Sequence, residues 1–230
     1  MKIMTFNTQH CKNYITQEID FEIMAKTIVD CGADIVGLNE MRAAGEREDY
    51  TDQVKKLSDL TGMSHYYFAE ATRLHGNNPY GNGFLSRIPT TSVETIAIPD
   101  PEVRGYNGYY ETRCVLKAVL ENGYTVLVTH FGLNPDEQQN AVATVLENLA
   151  PEKCILMGDF NVRPDNELLA PIRAKMKDAA EMMEGDGFSF PSDAPNRKID
   201  YIFVTPDVKM ISAEVPAIVA SDHRPHTLQV

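Results

Sequence analysis

The stretch Ile155-Leu156-Met157-Gly158-Asp159-Phe160-Asn161 runs from an apolar strand straight into a polar cluster. Successive side chains of a strand point to opposite faces, so Asp159 and Asn161 are expected to point together while Phe160 packs away. Gly158 is expected to admit close backbone approach by a ligand. A carboxylate beside an amide can hold an attacking water and a phosphate oxygen. Read in isolation, the same residues also fit a strand-ending Asp that merely starts a turn.

The pattern recurs along the chain. Thr5-Phe6-Asn7, Leu38-Asn39-Glu40 and Thr129-His130-Phe131 each close an apolar run, and Ser221-Asp222-His223-Arg224-Pro225 lies in a loop before the final strand. Ile199-Asp200-Tyr201 does the reverse and opens a strand. An antiparallel strand there would bring Asp200 to the sheet edge where the other strands end. Mixed sheets are therefore expected. Carboxylates, amides and histidines gathered at strand ends are the raw material of a metal-dependent hydrolytic site.

Ten strands are expected, at 2–6, 34–38, 65–69, 83–86, 91–98, 113–121, 125–129, 153–157, 201–205 and 227–230. Residues 113–129 read as a hairpin turning at Glu121-Asn122-Gly123. Asp20 can cap a helix that Gly32 stops, and 51–60 is a second helix ended by Gly62. Asn134-Pro135-Asp136-Glu137 is a strong helix start, with a capping side chain, Pro at the first position and acids in the first turn. A fourth helix is expected over 166–182. Stretches near 73–82, 99–112 and 184–198 read as surface loops. No repeat or linker interrupts the chain, so one domain over 1–230 is expected. Two mixed β-sheets packed face to face, with helices outside, would absorb the strand count in an α/β fold.

The formal net charge is −12, which disfavours tight non-specific binding to long nucleic acids, where Lys and Arg must neutralise phosphates. Acidity does not exclude a phosphate substrate, because a bound divalent cation reverses the local field. The four cysteines form no C-x-x-C pair and read as reduced packing residues. The N-terminus enters a strand pattern directly, without a leader-like apolar segment, and no apolar run approaches the ~20 residues needed to span a bilayer. A cytoplasmic monomer without a membrane span is the expectation.

Individual residues admit roles beside plainer readings. Glu40 would suit a hard cation, which takes oxygen ligands, though a terminal Glu is often only solvated. A neutral imidazole of His130 or His223 can take a proton from water, and Asp200 is the candidate carboxylate to orient it. Each of these three also fits a structural role. Asn7 could orient a metal-binding carboxylate, bind phosphate or simply make a turn. Asn82, between Gly81 and Gly83, is either substrate-facing or tight-turn chemistry. Arg42 and Arg113 could each donate to a phosphate oxygen, or could be surface charges. His10, His65, His75 and His226 carry no spacing argument, and Glu46, Glu48 and Asp49 read as a solvated face.

Taken together, Met4-Thr5-Phe6-Asn7, residues 34–40, Gly81-Asn82-Gly83-Phe84-Leu85-Ser86-Arg87, Thr129-His130-Phe131-Gly132-Leu133, Gly158-Asp159-Phe160-Asn161, Ile199-Asp200-Tyr201-Ile202-Phe203 and Ser221-Asp222-His223-Arg224-Pro225 make a recognisable order. The chain resembles the endonuclease/exonuclease/phosphatase superfamily, which includes pancreatic-type deoxyribonuclease, apurinic-site endonucleases, inositol-polyphosphate 5-phosphatases and neutral sphingomyelinases. The resemblance implies a four-layered α/β sandwich with the site at one edge of the two sheets. It implies Glu40 as principal magnesium or manganese ligand, with Asn7 and Asp222 near it. It implies Asp159 and Asn161 positioning water and phosphate, His223 polarised by Asp200, and His130 holding a phosphate oxygen. Whether Asp159 or the Asp200–His223 pair is the base stays open.

The chain also departs from the family pattern. Gln9 stands where the apurinic endonucleases carry an acid, and Asn39 replaces the usual Gln before the metal-binding Glu. Glu111 and Tyr109 or Tyr110 are candidates for the middle-loop acid and tyrosine. The chain lacks room for the DNA-gripping insertions of the nucleases. Hydrolysis of a small or lipid-type phosphoester is therefore the first expectation. A nuclease is the second, favoured if Lys55, Lys56, Arg73, Arg87 and Arg104 form a track. An inactive binding domain is the third, which the retained Glu40, Asp159, Asn161, Asp200 and His223 argue against.

Overall fold

The computed structural model describes residues 1–230. In chain order its elements are β1 (Lys2–Asn7), α1 (Phe21–Asp30), β2 (Ile35–Arg42), α2 (Gln53–Thr61), β3 (His65–Leu74), β4 (Asn78–Ser86), β5 (Thr90–Ala97), β6 (Cys114–Leu120), β7 (Thr125–His130), α3 (Pro135–Asn148), β8 (Cys154–Asp159), α4 (Ala170–Arg173), β9 (Lys177–Asp178), β10 (Asp200–Val204), β11 (Ser212–Glu214) and β12 (His226–Gln229). They form two six-stranded sheets, ordered β11-β12-β1-β2-β4-β3 and β5-β6-β7-β8-β10-β9. Within them β1–β2 and β7–β8 run parallel. The remaining pairs are antiparallel, so both sheets are mixed, as expected.

Side-chain alternation builds the layers. Ile3 of β1 faces Ile155 and Met157 of β8 and Ile202 of β10 in a core between the sheets. Met4 and Phe6 point the other way, into a cluster with Met24 and Ile28 of α1 and Val54 and Leu57 of α2. On the outer face of the second sheet, Leu127, Leu156, Phe160 and Phe203 pack with Ala141, Val142 and Val145 of α3. Central strands covered on both faces read as near-continuous apolar runs, which is how 155–157 reads. The result is the four-layered α/β sandwich, with helices outside two packed sheets.

Asp20 caps α1 by accepting from Ile23 N, and Asp52 caps α2 by accepting from Lys55 N. The left-handed Gly62 ends α2. Glu137 reaches back to accept from Asn134 N at 3.1 Å, completing the start of α3. The helix expected over 166–182 does not form. Residues Glu167–Leu169 make a 3-10 turn, α4 is one short turn, and Lys177 and Asp178 pair with Val204 and Phe203. Pro171 has no N–H to extend a helix begun upstream. The Asp178 side chain then caps a second 3-10 turn by accepting from Ala180 N. No helix is long and apolar enough to cross a membrane.

Candidate active site

The C-terminal ends of the parallel strands β1, β2, β7 and β8 meet at one edge of the sandwich. Because β10 is antiparallel to β8, Asp200 lies directly opposite Asp159. Asn7 joins the sheets there, donating through Nδ2 to Glu40 Oε1 and to Asp159 Oδ2, each at 3.1 Å.

Glu40 owes its position to a bulge. Leu38 pairs with Gly83 and Met41 with Gly81, so Asn39 and Glu40 together oppose Asn82, and Glu40 takes φ 61°. A left-handed non-glycine residue is strained and persists only where its surroundings hold it. Asn39 does the holding. Its buried Nδ2 donates to Asn82 Oδ1 at 2.8 Å and to Thr129 O at 2.9 Å, and its Oδ1 accepts from Asp159 N at 2.9 Å. Asn82 spends its other end on Cys114 O at 3.0 Å. Asn82 is thus buried and engaged at both ends: its Oδ1 is held by Asn39 within the first sheet, and its Nδ2 ties that sheet to the second at Cys114. The flanking Gly81 and Gly83 are required by packing, since a Cβ on Gly81 would lie 2.0 Å from Ala69 O.

Asp159 and Asn161 do meet, but through a turn and not by strand alternation. β8 ends at Asp159, and Asn161 turns back at φ 53° so that its N–H donates to Asp159 Oδ1 at 2.9 Å. Phe160 packs away, its ring centroid 4.4 Å from that of Phe131 and 5.2 Å from that of Tyr201. Gly158 is required by its neighbouring strand. At φ 146°, any Cβ there would lie 1.8 Å from Thr129 O.

His223 Nδ1 lies 2.8 Å from Asp200 Oδ2, which also accepts from Ser189 Oγ at 2.5 Å. His223 Nε2 faces Asp159 Oδ2 at 3.7 Å. Burial opposes a charged imidazole, but Asp200 and then Asp159 outweigh it and lift His223 to about 10. Burial pushes Asp159 up to about 7, with His223 opposing. Ser189 comes from the 184–198 stretch expected at the surface. Ser189 and Ser192 are instead buried beneath the site, because Gly, Pro and Asn composition signals turns and not depth.

A titration follows from this pairing. A folded-state pKa raised to about 10 contributes stability that is fully present below the ordinary value of 6.5 and lost as pH rises through 10. In metal-free protein, Asp200→Asn removes the main partner, so the His223 imidazole is expected to deprotonate well below pH 10. The gain in stability below that pH should shrink with it. Imidazole NMR chemical shifts against pH read the midpoint directly, and an unchanged midpoint would refute the pairing.

His130 Nδ1 is 3.0 Å from Arg113 Nη1, and that same nitrogen is 2.6 Å from Glu111 Oε1. A guanidinium only donates, so Nδ1 accepts and the proton sits on Nε2. Burial and then the Arg113 charge hold this imidazole neutral. Nε2 stands 3.1 Å from Asn161 Nδ2 and 3.5 Å from Asp159 Oδ2. Asn161 Nδ2 is fixed in turn by Phe131 O at 3.0 Å. Two donors thus converge beside Asp159. Arg113, expected as a phosphate donor, instead braces His130, with Glu111 as its counter-ion. Arg42 is also diverted, because Asp49 takes its guanidinium at 2.8 Å over the Tyr50 ring. That acid came from the cluster read as a solvated face.

On the Glu40 side, Asp222 accepts from Ser221 Oγ at 3.0 Å. Burial and then the charge of Glu40 raise its carboxyl, with His223 opposing. Two partly buried carboxylates that repel one another form a donor set suited to a hard divalent cation. Ligand atoms of Asp159, Asp200 and His223 also lie within 4.8 Å of one another, although the Asp200–His223 hydrogen bond already joins two of them. His10, to which the sequence assigns no role, places Nδ1 4.0 Å from Glu40 Oε2. Burial and then Arg42 lower it to about 4. An open cavity of about 470 Å³ beside Asn161 is lined by Leu133, Gln138, Val162, Arg163 and Asp165. A larger one of about 540 Å³, between Phe188 and Val215, contains none of these site residues.

The chain belongs to the Endonuclease/Exonuclease/phosphatase family, whose model matches residues 4–223. No curated protein matches it in sequence. Among solved structures, it is similar to an endonuclease/exonuclease/phosphatase from Beutenbergia cavernae DSM 12333, at 21% identity and TM-score 0.80 over 99% of this chain and 70% of that one. A family protein from Leptotrichia buccalis C-1013-b matches at 20% identity and TM-score 0.76, over 100% of this chain and 99% of that one. The mannosyl-6-phosphatase of Bacteroides thetaiotaomicron VPI-5482 matches at 16% identity and TM-score 0.76, over 100% and 98%.

Proposed function

We propose that this chain hydrolyses a small or lipid-type phosphoester with the help of magnesium or manganese. The observation that carries the reading is the line Asp200–His223–Asp159, which faces the paired donors of His130 and Asn161 while Asn7 ties Asp159 to Glu40. Glu40 and Asp222 would hold the cation, which supplies charge neutralisation on the phosphoryl group when bound.

The remaining roles belong to the chain's own atoms. Asp159 accepts the proton of the attacking water, its carboxyl poised near neutrality by burial. The doubly protonated His223 donates Nε2–H to a phosphoryl oxygen while Asp200 and Ser189 hold the ring. His130 Nε2–H and Asn161 Nδ2 donate to a second oxygen and need little rearrangement as charge develops there. This makes Asp159 the base and His223 the donor.

Two features favour a small substrate over a nucleic acid. Each cation of the possible basic track is engaged locally: Lys55 with Asp59, Lys56 over Phe21, Arg73 with Glu70, Arg87 with Ala33 O and Thr61 O, and Arg104 over Tyr110. One structural neighbour is by its name a mannosyl-6-phosphatase. A panel of sugar phosphates, inositol phosphates, phospholipid head groups, nucleotides, RNA and plasmid DNA, assayed with each metal, tests the reading. Turnover of a small phosphoester is the expected result, and cleavage of plasmid alone would overturn it.

A further inference from the structure

Immediately after β1, Gln9, His10 and Cys11 have φ of 47°, 50° and 61°. L-residues enter the left-handed region singly, at a cost of ~1–2 kcal/mol each, and a run of three without glycine or asparagine needs support from outside. That support is present. Asn7 Oδ1 accepts from Gln9 N at 3.1 Å, and Thr8 Oγ1 accepts from Cys11 N at 3.4 Å. The fully buried Gln53 donates to His10 O at 2.8 Å and accepts from Arg42 N at 2.9 Å. One side chain of α2 thus clamps the His10 turn to the segment of β2 that carries Glu40.

The turn presents the His10 ring to Glu40. Nδ1 stands 4.0 Å from Oε2, and both side chains are 23% exposed, so the pair is reachable from solvent. That separation is too long for a hydrogen bond. Both residues sit in left-handed backbone, so the fold spends strain on each side to bring them together. Beside them Gln9 Oε1 is buried without a donor. An imidazole nitrogen and a carboxylate facing one another without bonding suit a shared cation.

We propose that His10 supplies a nitrogen ligand to the divalent cation held at Glu40. The proposal rests on reading Glu40 as a metal ligand. Magnesium is served by oxygen donors, whereas an imidazole suits the first-row transition metals, of which manganese binds such a site most weakly. A mixed nitrogen–oxygen centre would therefore bias this chain away from magnesium and toward transition metals, among which manganese is the paramagnetic probe.

The test uses manganese alone as the probe, on the full chain. Pulsed EPR of bound Mn²⁺ should show nitrogen coupling that survives His223→Ala and disappears in His10→Gln. Calorimetry should show His10→Gln weakening Mn²⁺ about tenfold or more, while Mg²⁺ affinity changes far less. Bound Mn²⁺ without nitrogen coupling in the wild type, coupling that persists in His10→Gln, or equal weakening of both metals would each overturn the proposal while leaving Glu40 as a ligand. Absence of any Mn²⁺ or Mg²⁺ binding by the wild type would overturn both. Should His10→Gln fail to fold, spectra of wild-type, His223→Ala and His130→Ala proteins carrying ¹⁵N-histidine still decide, because coupling shared by all three and altered by the label leaves His10, the histidine that faces Glu40. Coupling lost with His223 would count against His10.

Discussion

His223→Ala is expected to lower kcat/KM on a chromogenic phosphodiester by about 10³-fold while leaving the protein folded. The imidazole is the centre of the Asp200–His223–Asp159 line, with one ring nitrogen facing each carboxylate. In the proposed mechanism its removal would take away a hydrogen bond to the phosphoryl oxygen and the charge that opposes protonation of Asp159. Asp159 then binds a proton more readily, so the proposed base would be lost along with the proposed donor. The same proton uptake relieves repulsion between Asp159 and Asp200, which is why the fold is expected to survive. Far-UV circular dichroism and a melting curve check the fold, and steady-state assays check the rate. Turnover close to wild type in a folded His223→Ala protein would remove His223 from the chemistry.

Gly158→Ala is expected to be among the most destabilising single-atom additions in the chain. The residue sits at φ 146°, a region L side chains rarely enter, and the new methyl would lie 1.8 Å from Thr129 O and 2.9 Å from Thr129 C. Those atoms belong to the backbone of β7, which is paired in parallel with β8 at that register and cannot rotate aside as a side chain would. Strain and overpacking together are expected to cost on the order of 3 kcal/mol or more. Urea denaturation at fixed pH measures the loss. A shift below about 1 kcal/mol would mean that the two strands separate locally at little cost.

Much of this architecture could be read from short-range pattern. Apolar alternation located most strands, Asp20 and Asn134 announced their helices, and Asp200 at a strand start announced mixed sheets. What escaped was set by contacts between residues far apart in sequence. The Asn39 carboxamide reaches Asp159, 120 residues away, and nothing near Asn39 signals that it will be buried across two sheets. Arg42 and Arg113 look alike as strand-end cations, yet Asp49 captures one and Glu111 with His130 the other. Asn82 between its glycines reads as substrate-facing or as a tight turn, but those glycines answer to Ala69 and Val54. The 166–182 segment has helical composition, but Pro171 and the pull of β10 on Lys177 and Asp178 divide it. His10 is invisible to periodicity because its orientation comes from backbone angles that side-chain chemistry would not suggest.

The Asn39 bridge also governs when a working site can exist during folding. Glu40, Asn7 and Asp222 come with the first sheet, while Asp159, Asn161, His130 and Asp200 come with the second. His223 enters from the loop before β12 and reaches across. Either sheet assembled alone holds half a set, with its carboxylates facing water. Only the docked sandwich, with the Asn39 amide seated among Asn82, Thr129 and Asp159, brings the two halves into register. Assembly of the proposed site thus requires the whole chain, because its two halves meet only where the sheets dock.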